Sequence, residues 1–147
     1  MSGRGPPTAV LLDTCAIIWL GNGDPLEAGA MEAIAQAARA NGTFVSPISA
    51  WEIGLLSRPT ARRSLALQFL PDPKTWFERV MAGPGIKAAP FTPQVAIDAS
   101  YLPGNLHGDP ADRIIISTAR QVGVPVVTRD RQIIAYASAG HLQAILC

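Results

Sequence analysis

Four carboxylates in this sequence stand where an ionised group is costly unless something offsets its charge. Asp13 lies between two apolar runs in "AVLLDTCAII" (residues 9–18), and Asp130 follows the run "VPVVT" (124–128) by two residues. Short unbroken apolar runs are the pattern of strands buried on both faces of a parallel sheet. Both acids therefore mark carboxyl ends of strands, the edge where open α/β sheets bind ligands. Asp112 and Glu52 fall on helical stretches. Asp112 shares a face with Ile115, Ile116 and Ala119, while Arg113, Ser117 and Arg120 form the polar stripe. Glu52 has Ile48, Leu55 and Leu56 three or four positions away, so it too points inward. From a chain with only eleven acids, four hidden at one edge is an unusual share. Two carboxylates about 4 Å apart repel by on the order of 4 kcal/mol at an effective dielectric of 20, so such a group needs a cation or raised pKa values. A divalent metal is the simplest remedy, and ligands that are all oxygen select Mg²⁺ or Mn²⁺ over zinc.

Each acid also has a plainer reading. Asp109 precedes Pro110 at a helix start and reads as an N-cap, with at most a supporting place in the site. Asp112, three residues on, would be favoured by the helix dipole at roughly 0.3 to 1 kcal/mol. Glu52 could close a capping box with Ser49 in "SAWE", although Pro47 argues that the helix has already begun after Ser46. Asp13 and Asp130 could each cap a short helix that follows. His107 and His141 stand apart without ligand spacing and read as exposed or structural. Cys15 reads as a small core residue rather than a nucleophile, because no histidine lies nearby in sequence to activate it. Trp19 and Trp51 read as core or as a surface for a partner. Arg58, Arg62, Arg63, Arg129 and Arg131 are candidates for contacts to a nucleic-acid backbone, with a solvated surface role as the alternative.

The elements that must position these residues alternate between strand and helix. Ala9–Leu12 is a strand, 26–40 a helix stopped by Asn41 and Gly42, and 43–46 a second strand. Ser46 with Pro47, Thr92 with Pro93 and Asp109 with Pro110 repeat a cap-then-proline signal, opening helices to about Ser57, after Thr92 and over Ala111–Val122. A helix at 74–81, a strand near 86–89, a strand at 124–128 and a closing helix at 132–137 complete the set. Residues 58–73 and 102–109 read as loops, the first with room for a short strand. Such alternation predicts an α/β domain, a mostly parallel sheet with helices on both faces.

The chain has 147 residues, 48% hydrophobic and 16% charged, against a usual charged share of about 25%. That length fits one domain, read as residues 9–147 behind a loose leader at 1–8. A net charge of +1 excludes a generally basic surface. Two cysteines, Cys15 and Cys147, suggest neither a disulfide framework nor a zinc site and fit a reducing cytosol. No secretory signal and no apolar run near the roughly 20 residues of a membrane span is present, so a cytoplasmic chain with no membrane partner is expected.

Taken in order and spacing, "LLDTCAIIWL", "SPISAWEIGLL", "LPGNLHGDPADRIIISTA" and "VVTRDRQI" resemble the PIN-domain ribonucleases, most closely the VapC toxins of bacterial type II toxin–antitoxin pairs. The likeness runs from Val10 to about Ile145. It implies a three-layer α/β/α sandwich, an acidic Mg²⁺ or Mn²⁺ site, cleavage of RNA, homodimerisation and inhibition by a cognate VapB-type antitoxin. Asp13, Glu52, Asp112 and Asp130 match the family's four acidic positions. Asp13 and Asp112 are expected to hold the principal metal, the inward face favouring Asp112 over Asp109. Two departures stand out. Ala111 occupies the place of the usual large aromatic in "DPFDR", and "IGLLS" follows the motif glutamate where many relatives carry a basic residue. Among rivals, a phosphoacceptor receiver domain would want paired acids before its first helix and a strand-end lysine, and a Rossmann-type binder a glycine-rich first turn. The chain has none of these. A PIN-like module that binds antitoxin or RNA without cutting is the remaining alternative, and the presence of all four acids argues against it.

Overall fold

The run Ala9–Leu12 forms strand β1 (Ala9–Leu12), buried at every residue. The computed structural model describes residues 7–59 and 67–147. Beside β1, strands β2 (Gly42–Val45), β3 (Ile86–Ala88), β4 (Val126–Thr128) and β5 (Ala144–Leu146) pair in parallel, in the order β3-β2-β1-β4-β5. Connections lead outward from β1 through β2 to β3 on one side, and through β4 to β5 on the other. The strand order therefore reverses between β1 and β4, where Leu11 pairs with Val126 and Leu12 with Val127.

Among the described residues the helices are α1 (Thr14–Gly21), α2 (Ala28–Arg39), α3 (Pro47–Leu56), α4 (Pro73–Met81), α5 (Pro93–Ser100), α6 (Pro110–Val122) and α7 (Arg131–Ser138). The pleat sends alternate β1 residues to opposite faces. Val10 and Leu12 pack with Ala16, Ile17, Ile34, Ala37 and Trp76 from α1, α2 and α4. Leu11 packs on the other face with Ile115 and Ala119 of α6 and Val126 of β4. Helices on both faces of a parallel sheet make the expected three-layer sandwich. Burying each of these large aliphatic side chains is worth roughly 1.5–3 kcal/mol.

The cap-then-proline signals sit where the sequence puts them. Ser46 accepts from Ile48 N–H at 3.1 Å, Thr92 from Val95 N–H at 3.1 Å and Asp109 from Asp112 N–H at 3.0 Å, each ahead of a proline at the first turn.

Several sequence readings change. Helix α1 fills the stretch after Asp13, and β5 pairs with β4 where no strand is expected. The stripe on α6 is not solvated: Ser117 is buried and donates to Val95 O at 2.8 Å, and Arg113 donates to Ala99 O at 2.9 Å, leaving Arg120 as its exposed member. Leu55 is exposed, so Glu52 lies at the flank of the buried face of α3, which is carried by Ser49 and Ile53. Cys15 is exposed rather than core, because α1 turns it away from the Ala16 and Ile17 side. At the amino end Thr8 bonds to Asn41 through backbone and side chain. Residues 1–6 of the expected leader, and Arg62 and Arg63 in the expected loop, lie outside the described residues.

Candidate active site

Asp13 follows β1 directly and is 4% exposed. Its plain role as a helix cap is real: Oδ1 accepts from Ala16 N–H at 2.8 Å and opens α1. Its other oxygen, Oδ2, accepts from the Thr128 hydroxyl across the β1–β4 seam. Thr128 Oγ1 in turn accepts from Asp130 N–H at 3.0 Å, so one hydroxyl ties the ends of both central strands together. Asp130 caps α7 through Gln132 and Ile133 N–H at 2.8 and 3.3 Å. Asp13 and Asp130 thus straddle the point where strand order reverses, the place at which α/β sheets form a ligand crevice.

Glu52 reaches this edge from α3. Oε1 accepts a short hydrogen bond from the Thr14 hydroxyl, whose oxygen is also 2.9 Å from Ser49 Oγ. Ser49 therefore packs against α1 rather than closing a capping box, and Ser46 is the cap. Asp112 comes from the first turn of α6, half-buried, with Oδ2 2.8 Å from His107 Nε2. Asp109 is exposed, and its carboxylate is engaged with Asp112 N–H as a cap.

Charge couples these groups. Burial raises the Asp13 carboxyl to about 6 against the bonds from Thr128 and Ala16, with repulsion from Asp112 and Asp130 adding to the rise. Burial also raises Glu52, opposed by the Thr14 bond and reinforced by Asp112, Asp109 and Asp13. Asp112 is raised by burial, opposed by the His107 bond and reinforced by Asp109 and Asp130. The Cys15 thiol, buried in part and facing the same acids, is pushed up to about 11 and stays protonated, a poor nucleophile.

Among the described residues no lysine or arginine pairs with any of the four acids; the ring in contact with one of them is His107, against Asp112. Arg129, beside Asp130, lies instead with its guanidinium 3.8 Å from the Trp19 ring centroid and donates to Cys147 O at 2.7 Å. The donor chemistry therefore fits a hard divalent cation: oxygen ligands carrying negative charge that no lysine or arginine among the described residues offsets. The spacing is looser than a finished cage, for among the described residues no three His, Cys, Asp or Glu side chains stand close enough to make one.

Sequence reasoning missed His107, Thr14 and Thr128. The two threonines had a signal in their positions, one following Asp13 and one preceding Asp130 by two. His107 had its place in "LPGNLHGDPADR", within the segments that carry the resemblance, but five residues before Asp112 is a distance that a loop can close in many ways.

A parallel sheet with carboxylates coupled in charge beside the reversal of strand order is the arrangement that comparison with known proteins places in a family. The PIN domain profile matches residues 10–139, and the chain belongs to the PIN domain family. It is 34% identical over 127 residues to Ribonuclease VapC22 of Mycobacterium tuberculosis (strain ATCC 25618 / H37Rv), covering 86% of this chain and 90% of that protein. Two solved structures share the fold at low identity. The crystal structure of VapBC2 from Rickettsia felis bound to a DNA fragment from their promoter matches with a TM-score of 0.65 at 15% identity, over 94% of this chain and 98% of that one. The DNA-bound VapBC from Salmonella typhimurium matches with a TM-score of 0.56 at 17% identity, over 94% and 97%.

Proposed function

We propose that residues 9–147 act as one nuclease domain, a metal-dependent endoribonuclease that serves in the cytoplasm as the toxin of a toxin–antitoxin pair. The observation that carries this reading is the charge coupling of Asp13, Glu52, Asp112 and Asp130 along one sheet edge, with no lysine or arginine among the described residues paired to them. The resemblance to Ribonuclease VapC22 supplies the substrate class. Asp13 and Asp112 would hold the principal Mg²⁺ or Mn²⁺, with Glu52 and Asp130 completing the site or sharing a second ion. Of the two acids at the start of α6, Asp112 is the better ligand, since Asp109 is exposed and engaged as a cap. Such an ion, when bound, lowers the pKa of a coordinated water and stabilises charge developing on a phosphate.

The chain's own residues do the rest. Thr14 and Thr128 fix one oxygen each of Glu52 and Asp13, so these carboxylates are oriented before any ion arrives. Arg131, exposed after Asp130, and Arg58 are candidates to meet RNA phosphates, and Arg129 is a third that would first have to leave Trp19 and Cys147 O. A VapB-type antitoxin and a second copy of the chain are the proposed protein partners, supported by the VapBC assemblies among the structural matches and by the family resemblance.

Incubation of the purified chain with total RNA tests the reading. Cleavage is expected with Mn²⁺ or Mg²⁺, to stop with EDTA and to return on adding excess ion. Asp13→Asn is expected to lower the rate by about 10²-fold or more, as loss of a ligand to a catalytic ion should. RNA binding without cleavage in Mn²⁺ would instead assign the chain as a silent binding module.

A further inference from the structure

We infer that His107 is the positioning residue for Asp112, its Nε2–H holding one carboxylate oxygen so that the other is left for a cation with the negative charge intact. This rests on the metal-site reading above. His107 lies in the loop before α6, and its Nε2 is 2.8 Å from Asp112 Oδ2. An ionised carboxylate can only accept, so Nε2 carries the hydrogen. The other ring nitrogen, Nδ1, is buried without a hydrogen-bond partner, the one such side-chain atom among the described residues. A hydrogen on Nδ1 would be a buried donor with nothing to accept it, whereas a bare lone pair there is the less costly arrangement. The geometry therefore selects the Nε2–H tautomer, with Nδ1 bare. A lysine or arginine in this place would also fix Asp112, but it would neutralise the carboxylate and compete with any ion. His107 fixes it without competing.

The ring is braced from behind. Arg113, the residue after Asp112, turns back from α6 and donates to Leu106 O at 3.4 Å, His107 O at 3.3 Å and Ala99 O at 2.9 Å. The backbone of His107 is thus tied to the helix that carries Asp112, and its side chain closes the same loop. Partners of this kind orient a metal-binding side chain, and their loss typically weakens metal affinity by about 10–100-fold.

The test is calorimetric titration of Mn²⁺ into the full chain and into His107→Ala and His107→Gln, with circular dichroism to establish folding. Glutamine keeps an N–H donor near the position of Nε2. His107→Ala is expected to bind Mn²⁺ about tenfold more weakly or worse, and His107→Gln to recover most of the loss. The Mn²⁺ concentration for half-maximal RNA cleavage should rise by the same factor as the calorimetric constant. Imidazole ¹⁵N spectra of the metal-free protein should show Nε2 protonated and Nδ1 bare. Equal Mn²⁺ affinity in all three proteins overturns the positioning role and leaves the metal site standing. No Mn²⁺ binding by the wild type overturns both. A glutamine variant as weak as alanine, or an Nδ1–H tautomer, overturns the hydrogen bond as the means. Should His107→Ala fail to fold, the glutamine variant and the spectra decide.

Discussion

Asp13 receives hydrogen bonds that favour its charged form, yet burial and two neighbouring carboxylates outweigh them and leave its pKa at about 6 instead of 3.8. The sign for stability follows. From about pH 4 to 6 the folded chain keeps a proton that the unfolded chain has lost, so the contribution of Asp13 is full below the unfolded value and disappears as pH rises through the folded one. At pH 7 the metal-free protein forgoes roughly 3 kcal/mol. Asp13→Asn keeps an acceptor for Ala16 N–H and sheds the charge. It is expected to melt higher than wild type at pH 7 without metal, by an amount that shrinks toward pH 4. A scan of melting temperature against pH checks this, and a variant that melts lower at pH 7 would remove the case for uncompensated charge. Both oxygens of Asp13 have a place in the fold: Oδ1 caps α1 while Oδ2 accepts from the Thr128 hydroxyl.

At the level of elements, α6 depends on its first turn. Asp109→Ala removes the bond to Asp112 N–H, and unfolding in urea is expected to show a loss of about 1 kcal/mol. Strand β3 depends on the approach of Gly85, which has φ +72° and whose carbonyl accepts from Thr43 N–H at 2.9 Å. A Cβ there would sit 2.2 Å from Ala38 O, and that atom is backbone of α2 and cannot turn aside. Gly85→Ala is expected to cost about 2–4 kcal/mol, measurable as a lowered urea midpoint. The capped helices were legible because serine, threonine or aspartate before proline has one economical conformation. Helix α1 was legible only as a short helix that Asp13 could cap, since "TCAIIWLG" is apolar on nearly every side and shows no period to distinguish helix from strand. Strand β5 was not, because three residues pairing on one side carry too little pattern. The polar stripe on α6 was misjudged for Ser117 and Arg113, whose polar atoms are satisfied by carbonyls of α5 and the preceding loop that no local pattern announces. The four acids were singled out from face and strand end; the hydroxyl and imidazole groups that bond to them, set by tertiary closure, were not.

Across the whole molecule, large apolar side chains stay uncovered, among them Ile97 at 59% and Tyr101 at 80% exposure on and just beyond α5. Together with the proposed pairing of copies, this leads to an expected mass in sedimentation of twice 15.5 kDa, and a single-copy mass at micromolar concentration would remove the dimer from the proposal. The central seam carries a last consequence. Asp13 is made early and Asp130 late, and the Thr128 hydroxyl that joins their strands arrives with the latter. A chain whose synthesis has not yet reached Thr128 and Asp130 therefore lacks the joint between the two strand ends, and with it the complete acidic edge on which the proposed cleavage depends.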